Sequence, residues 1–189
     1  MIGIILAGGQ SKRFGTDKAT YHLPGYDASN VQLAVTKLLP YCNQVVVSAN
    51  VKNQSVIRRQ LRDHPAVKLV CDVPPYDQHG PLSGLVAVTS WHPEPTDYLL
   101  LAVDYPDLQT KSIAQLAAHP AAFVADDQHL HFTLAHFRTD HQTLCNWLRK
   151  GGNWRLGTFL IKKCYCQPLH LAAHQELCNL NYRTRKDQQ

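Results

Sequence analysis

A cluster of glycines and cations follows a short apolar run at the start of the chain. The run Ile2–Leu6 leads directly into AGGQSKRFGTDK, residues 7–18. Glycine lets backbone N–H groups approach an anion closely, and lysine and arginine supply positive charge. The spacing matches neither G-x-x-x-x-G-K-[ST] nor G-x-G-x-x-G. The segment therefore indicates a phosphate-binding loop of another type, placed at the carboxyl end of a strand.

Three more polar residues each follow an apolar run that predicts a strand. They are Asn50 after QVVVS (44–48), Asp72 after VKLVC (67–71) and Asp104 after YLLLAV (98–103). A carboxylate at a strand end is a suitable anchor for Mg²⁺, which takes one or two protein carboxylates and fills its shell with phosphate and water. The alternative interpretation of Asp104, a turn or helix N-cap before Pro106, stays open.

Strand-like and helix-like segments alternate over the first two thirds of the chain. Apolar runs at 2–6, 44–48, 67–71, 98–103 and 121–125 are separated by helical patterns at 53–62, 82–90 and 112–118. This alternation predicts an α/β fold: a three-layer, Rossmann-like, mostly parallel sheet with helices on both faces. Because ligands bind beyond the carboxyl ends of such strands, the glycine loop and the three polar residues should share one edge.

The pattern changes after Ala125. Asp126-Asp127 predicts a turn into an antiparallel strand at 129–137, followed by a helix at 139–150 that ends at Gly151-Gly152. The remainder is expected to form short strands or loops.

The bulk composition predicts a single domain for small anionic substrates. The chain has 189 residues, 44% of them apolar, and a formal charge of +5 from scattered basic residues. A scattered charge of this size argues against nucleic-acid binding. No apolar run approaches the ~20 residues of a membrane span, and no basic region precedes the first apolar run, so we expect a cytoplasmic protein without a membrane partner.

The string LAGGQSKRFGTDK (6–18) is similar to the signature L-A-G-G-x-S-x-R-(M/F)-G-x-D-K. On this motif the chain resembles nucleoside-triphosphate-dependent nucleotidyltransferases, most closely the molybdenum cofactor guanylyltransferases. The resemblance implies the fold of nucleotide-diphospho-sugar transferases. It also implies a nucleotide-binding half at 1–110 and an acceptor-binding half at 111–189 within the single domain 1–189.

Site residues can be carried over at the positions that match the family's motifs. The implied catalytic residues are Arg13, Lys18 and Asp104, with Asp104 in its D-x-P context as the Mg²⁺ ligand. The implied nucleotide-binding residues are Leu6, Ala7, Gly8, Gly9, Lys18, Ser48, Asn50, Asp72, Gly80 and Asp104. Ser48 stands where the family often has asparagine, and Gly80 belongs to a GPLSG string similar to the family's G-P-L-A-G.

The resemblance weakens toward the acceptor side. His131 and the pair Asn179 and Asn181 are the implied acceptor-binding residues, but Phe132 replaces the family's usual proline and Tyr182-Arg183-Thr184 replaces Thr-Pro-Glu. The implied reaction transfers GMP from GTP to the phosphate of molybdopterin, with transient contact to cofactor-inserting or molybdenum-enzyme partners. Two alternatives stay open: a cytidylyl or other small-acceptor transferase, and an inactive nucleotide- or pterin-binding homologue.

Overall fold

The computed structural model describes residues 1–77, 79–151, 153–171 and 175–180. In these ranges the strands are β1 (Ile2–Leu6), β2 (Gln44–Ala49), β3 (Val67–Cys71), β4 (Thr96–Ala102), β5 (Ala122–Ala125), β6 (Leu130–Thr139) and β7 (Gln167–His170). The helices are α1 (Asn30–Leu38), α2 (Gln54–Gln60), α3 (Pro81–Trp91), α4 (Thr110–Ala118), α5 (His141–Arg149) and α6 (Leu156–Lys162).

The strands form one mixed sheet in the order β3-β2-β1-β4-β6-β5-β7. The first four positions are parallel, with Ile5 opposite Val47 of β2 and Leu101 of β4. Strand β6 runs antiparallel between β4 and β5, and β7 pairs parallel with β5. The predicted α/β fold with a mostly parallel sheet is confirmed, including the antiparallel strand after Ala125.

The helices cover both faces of the sheet because successive residues of a strand face opposite sides. On β1, Ile5 belongs to a core shared with α1 and α4, while Ile4 belongs to a core shared with α3, α5 and α6. Both side chains are fully buried. Packing in these two apolar layers stabilises the sheet and so fixes the positions of the polar residues at its carboxyl edge.

Two helices differ from the sequence-based interpretation. Helix α1 was not predicted; the backbone N–H of Ser29, just before it, donates to Gln32 Oε1 at 2.9 Å and so satisfies one group at the helix start. Helix α6 forms where short strands or loops were expected. Gly157 lowers the helical propensity of this segment, but burial of Phe159 and Leu160 in the core overrides that local preference.

Among the described residues, no helix combines the length and apolar character needed to cross a bilayer. The division into a nucleotide-binding half and an acceptor-binding half stays a prediction.

Candidate active site

An ion pair joins the end of the glycine loop to the end of β4. Lys18 Nζ lies 3.1 Å from Asp104 Oδ2, and the two side chains are 12% and 26% exposed. The residues are 86 positions apart in sequence, and the parallel pairing of β1 with β4 brings them together. Partial burial strengthens such a pair relative to one on an open surface. The edge thus presents a cation and a carboxylate side by side at the end of the loop.

A buried amide holds the two ends of the glycine loop together. The Asn53 Nδ2 group donates to the Ala7 carbonyl and to Asp17 Oδ2, both at 2.8 Å. Asp17 Oδ1 in turn accepts from the backbone N–H of Ala19 at 2.9 Å. Asn53 is only 3% exposed. Sequence reasoning treated it as the start of a helix and missed this role, because its partners lie about 40 residues away in sequence.

The Asn50 side chain also contacts the glycine loop, by binding to the loop's backbone. Its Nδ2 group donates to the Gly8 carbonyl at 3.1 Å, while its Oδ1 accepts from the backbone N–H groups of Lys52 and Asn53. Gly9 is exposed and an added β-carbon there would meet nothing within 4 Å. Gly9 therefore lies on the solvent-exposed side of the loop, whereas Asn50 lies on the side that packs against β2.

Ser48 does not have the position expected of a nucleotide ligand. Its side chain is 2% exposed, and a β-carbon on Gly84 of α3 would lie 2.5 Å from its Oγ. The hydroxyl is therefore packed beneath α3, away from solvent. Ser48 contributes to the loop through its carbonyl, which accepts from the Ala7 N–H at 2.8 Å. This placement corrects the expectation of a side-chain contact with the nucleotide.

The remaining nucleotide-side residues lie on the same edge of the sheet. Asp72 directly follows β3 and is partly exposed. Gly80 precedes α3 with a φ of +76°, a conformation that favours glycine, and Pro81 occupies the first turn of the helix. Arg13 is exposed on the glycine loop, as is its neighbour Lys12. Leu6, the last residue of β1, is partly buried and packs against the core.

A cleft of about 530 Å³ lies beside this edge, between the start of α3, the start of β6 and helix α6. Tyr105, directly after Asp104, forms part of its wall together with Phe132. Arg155 and Lys162 add two cations to the lining. Sequence reasoning missed both cations, because neither belongs to a recognisable motif and only α6 brings them to the cleft.

His131 lines the cleft but its ring nitrogens bind other protein groups. Nδ1 lies 3.2 Å from the Tyr105 hydroxyl and Nε2 lies 3.1 Å from Asp126 Oδ2. The residue is 8% exposed. Both polar atoms of the ring are therefore already paired, which argues against the direct acceptor contact expected for His131.

Asn179 lies close to the predicted catalytic carboxylate. The next residue, Leu180, donates its backbone N–H to the Asp104 carbonyl at 2.9 Å. Asn181, the other asparagine of the predicted pair, lies outside the described residues.

Three titratable groups near the edge have shifted pKa values. Burial raises the pKa of Tyr105. Hydrogen bonds from the Gln128 backbone and from His131 hold the pKa of Asp126 far below its usual range. Burial lowers the pKa of Lys37 to about 8, although nearby Asp107 opposes the shift. Lys37 Nζ donates to the carbonyls of Tyr105 and Pro106, so it supports the turn that follows Asp104.

The residues at this edge fit a substrate-bound magnesium ion. In the described part of the chain, no group of three or more histidine, cysteine or acidic side chains is placed to hold a metal ion together. Asp104 is a partly exposed carboxylate beside a loop suited to phosphate. One carboxylate is sufficient when phosphate oxygens and water complete the shell of Mg²⁺.

Comparison with known proteins identifies the family. Residues 3–164 match the model of the MobA-like NTP transferase domain. A nucleotidyl transferase from Methanothermobacter thermautotrophicus has a similar fold, with a TM-score of 0.67 and 17% identity over 96% of this chain and 91% of that one. Molybdopterin-guanine dinucleotide biosynthesis protein A from Archaeoglobus fulgidus gives a TM-score of 0.62 and 16% identity over 99% and 94% of the two chains.

At these identities the solved structures of the two relatives establish the fold alone. The family model covers most of the chain, including the glycine loop, Asp104 and the cleft residues as far as Lys162. Together with an edge that presents a glycine loop, a lysine and a carboxylate, these findings show that the chain is a nucleotidyltransferase belonging to the MobA-like NTP transferase domain family.

Proposed function

We propose that the protein transfers GMP from GTP to the phosphate of molybdopterin, releasing pyrophosphate. The observation that carries the proposal is the Lys18–Asp104 pair, at 3.1 Å, between the glycine loop and the cleft. It puts the groups suited to a triphosphate beside a cavity that can hold a second substrate. The structural relative from Archaeoglobus, described as a molybdopterin-guanine dinucleotide biosynthesis protein, supports this choice of substrates.

The reaction requires positioning and charge stabilisation more than covalent catalysis. An oxygen of the acceptor phosphate forms a bond to the α-phosphorus of GTP, while the bond from that phosphorus to the bridging oxygen breaks and pyrophosphate leaves. Backbone N–H groups at Gly8 and Gly9 would hold the phosphates, and Lys18 and Arg13 would offset the charge that develops on them. Mg²⁺ held by Asp104 would supply further charge neutralisation.

The cleft supports an acceptor that combines a ring system with anionic groups. Phe132 and Ile161 offer apolar surface, and Arg155 and Lys162 offer positive charge. A phosphorylated pterin has this combination of properties. Asn179 precedes Leu180, whose N–H donates to the Asp104 carbonyl, and we assign it to the acceptor. The proposal places the reaction in the cytoplasm, with transient contact to proteins that insert the cofactor or use it.

A cytidylyl transfer is the second candidate within this class. Asp72, which would lie near the base, can accept a hydrogen bond from the N–H groups of guanine and equally from the amino group of cytosine. An inactive binding protein is less well supported, because the Lys18–Asp104 pair retains both charged groups that catalysis requires.

The test is to incubate the protein with each nucleoside triphosphate, Mg²⁺ and molybdopterin, and to measure pyrophosphate and the dinucleotide product. We expect product with GTP only. Product with CTP instead would establish the cytidylyl alternative, and pyrophosphate only with another phosphorylated acceptor would reject molybdopterin. Tight nucleotide binding without pyrophosphate under any condition would establish the inactive homologue.

A further inference from the structure

Three side chains form a buried hydrogen-bonded series behind the cleft. Asp126 follows β5, His131 lies on β6, and Tyr105 follows the carboxyl end of β4. Asp126 Oδ2 is 3.1 Å from His131 Nε2, and His131 Nδ1 is 3.2 Å from the Tyr105 hydroxyl. The side chains of Asp126 and His131 are each 8% exposed, and Tyr105 is 5% exposed. The proposed reaction assigns no step to any of the three.

The first member of the series is fixed by its own backbone contacts. Asp126 Oδ1 accepts from the N–H groups of Gln128 at 2.8 Å and His129 at 2.7 Å. These bonds stabilise the ionised carboxylate and help to hold its pKa below the usual range. An ionised carboxylate can only accept hydrogen bonds, so the proton between Asp126 and His131 must lie on Nε2.

The direction of the remaining hydrogen bonds follows from that proton. In neutral His131 a proton on Nε2 leaves Nδ1 as an acceptor, and the Tyr105 hydroxyl must donate to it. Since a hydroxyl has one proton, Tyr105 can then only accept from its other partners. Tyr105 lines the cleft, so its hydroxyl offers only lone pairs, and no proton, to a group bound there.

We propose that Asp126 and His131 are positioning residues that set the direction of the Tyr105 hydroxyl, so that it presents a hydrogen-bond acceptor to the substrate in the cleft. The inference rests on the proposed function, because it treats the cleft lined by Tyr105 and His131 as the acceptor site. Asp126 and His131 act through Tyr105 and do not touch the reacting atoms. The GPLSG turn and the glycine loop are not part of the series, so nucleotide binding should not depend on it.

The direct test is the protonation pattern of His131, read by long-range ¹H–¹⁵N NMR of the full chain. We expect the Nε2–H form in the wild type, assigned by the signal that disappears in His131→Gln. In Asp126→Asn the new NH₂ group can donate to Nε2, and we expect the proton to move to Nδ1. A wild-type Nδ1–H form, or no change in Asp126→Asn, overturns the proposal. This readout requires no activity, so it stays informative if the proposed reaction fails.

The second test separates the two substrates by steady-state kinetics. In Asp126→Asn the hydrogen bonds reverse, and the Tyr105 hydroxyl is released to donate toward the cleft. In Tyr105→Phe the hydroxyl is absent. We expect each variant to raise the KM for molybdopterin by about three- to tenfold, the range that one hydrogen bond supports, with the KM for GTP unchanged.

Asp127→Asn is the matched control, since Asp127 is the exposed neighbour of Asp126 and lies outside the series. It should leave both KM values and the His131 signal unchanged. Equal rises in both KM values, or a loss of turnover alone, would indicate general disturbance of the fold and overturn the positioning role. If Asp126→Asn fails to fold, Tyr105→Phe and the wild-type NMR signal still decide the question.

Discussion

The glycine loop and the cleft that we assign to the acceptor lie side by side but are built in opposite ways. The loop is one continuous segment, residues 7–18, whose ends are tied together by the buried Asn53 amide. The cleft takes its lining from α3, β6, α6 and the turn after β4. The functional groups of a continuous segment can be recognised from its own residues, whereas those of an assembled cleft depend on how distant elements pack. This difference explains why the loop was recognised from sequence and most of the cleft was not.

The two regions also differ in how tightly they are packed. An added β-carbon on Gly8 would lie 3.5 Å from the nearest atom of Ala49, which is an ordinary contact. An added β-carbon on Gly157 would lie 2.5 Å from the Phe132 ring in the cleft wall. The loop backbone thus admits one further carbon at Gly8 and is open at Gly9, as a ligand-binding segment needs. The cleft wall is shaped by close contact between α6 and β6.

The largest expected effect is that of Asp104→Asn, at the boundary between the two regions. The substitution preserves size but removes the anionic ligand, so we expect turnover to fall about a hundredfold or more, with little change in melting temperature. Raised Mg²⁺ should restore part of the activity. Asp97→Asn, at an exposed ion pair on β4, is the control. Wild-type turnover and magnesium dependence in Asp104→Asn would assign Asp104 to a structural turn.

The next effect compares two cations of the same loop. Lys18→Ala removes the partly buried lysine that faces Asp104, and we expect turnover to fall by about one to two powers of ten. Lys12→Ala removes an exposed lysine six positions earlier and should change turnover little. Steady-state kinetics of both variants measures the difference. Equal losses would show that the loop acts through its total charge.

Gly8→Val tests the phosphate-binding role that we propose for the loop. The β-carbon would make ordinary contact with Ala49, and the branched side chain would hinder the close approach of phosphate to the loop backbone. We expect the Kd for GTP to rise about tenfold, equivalent to ~1.4 kcal/mol, without loss of fold. Calorimetric titration with a non-hydrolysable analogue gives the Kd, and circular dichroism checks the fold. Unchanged affinity in a folded variant would remove the loop from the phosphate site.

Gly157→Ala is the corresponding test in the cleft. Alanine favours the helix by about 1 kcal/mol, but displacement of the Phe132 ring costs about 1–3 kcal/mol. We expect a small net loss of stability and a several-fold rise in the KM for the acceptor, with the KM for GTP unchanged. Urea unfolding and steady-state kinetics measure the two effects. A change in the KM for GTP alone would contradict the assignment of the cleft to the acceptor.

The smallest expected effect concerns Lys37, which supports the turn between the regions. Burial lowers the pKa of Lys37 to about 8 from its ordinary value of 10.5. Between pH 8 and pH 10.5 the Lys37 ammonium therefore keeps its proton in the unfolded chain but loses it in the folded protein. The Lys37 contribution to the free energy of unfolding should therefore rise from pH 8 to pH 10.5.

The Lys37 contribution is measured as the difference in unfolding free energy between the wild type and Lys37→Met across this pH range. Subtraction removes the opposite contribution of buried thiols such as Cys164, whose pKa is raised by burial to about 12. A difference that does not increase with pH would show that Lys37 is not desolvated in the folded protein.

The sequence by itself determined the parallel half of the fold and the main charged groups of the site. Alternating apolar runs predict strands β1 to β4 because burial on both faces requires nearly continuous apolar residues. The glycine loop and Asp104 then fall at strand ends, where a parallel sheet brings them to one edge. Lys18 and Asp104 were predicted on this basis, and the structure places their charged atoms 3.1 Å apart.

Only the tertiary structure decided which polar groups face the site and which support it. Ser48 and His131 were expected to bind substrates, but Gly84 covers Ser48 and the two ring nitrogens of His131 face Tyr105 and Asp126. Helix α6, and with it Arg155, could not be predicted from local preference. The physical reason is that strand positions depend on nearby apolar patterns, whereas the partner of a polar side chain depends on contacts between residues far apart in sequence.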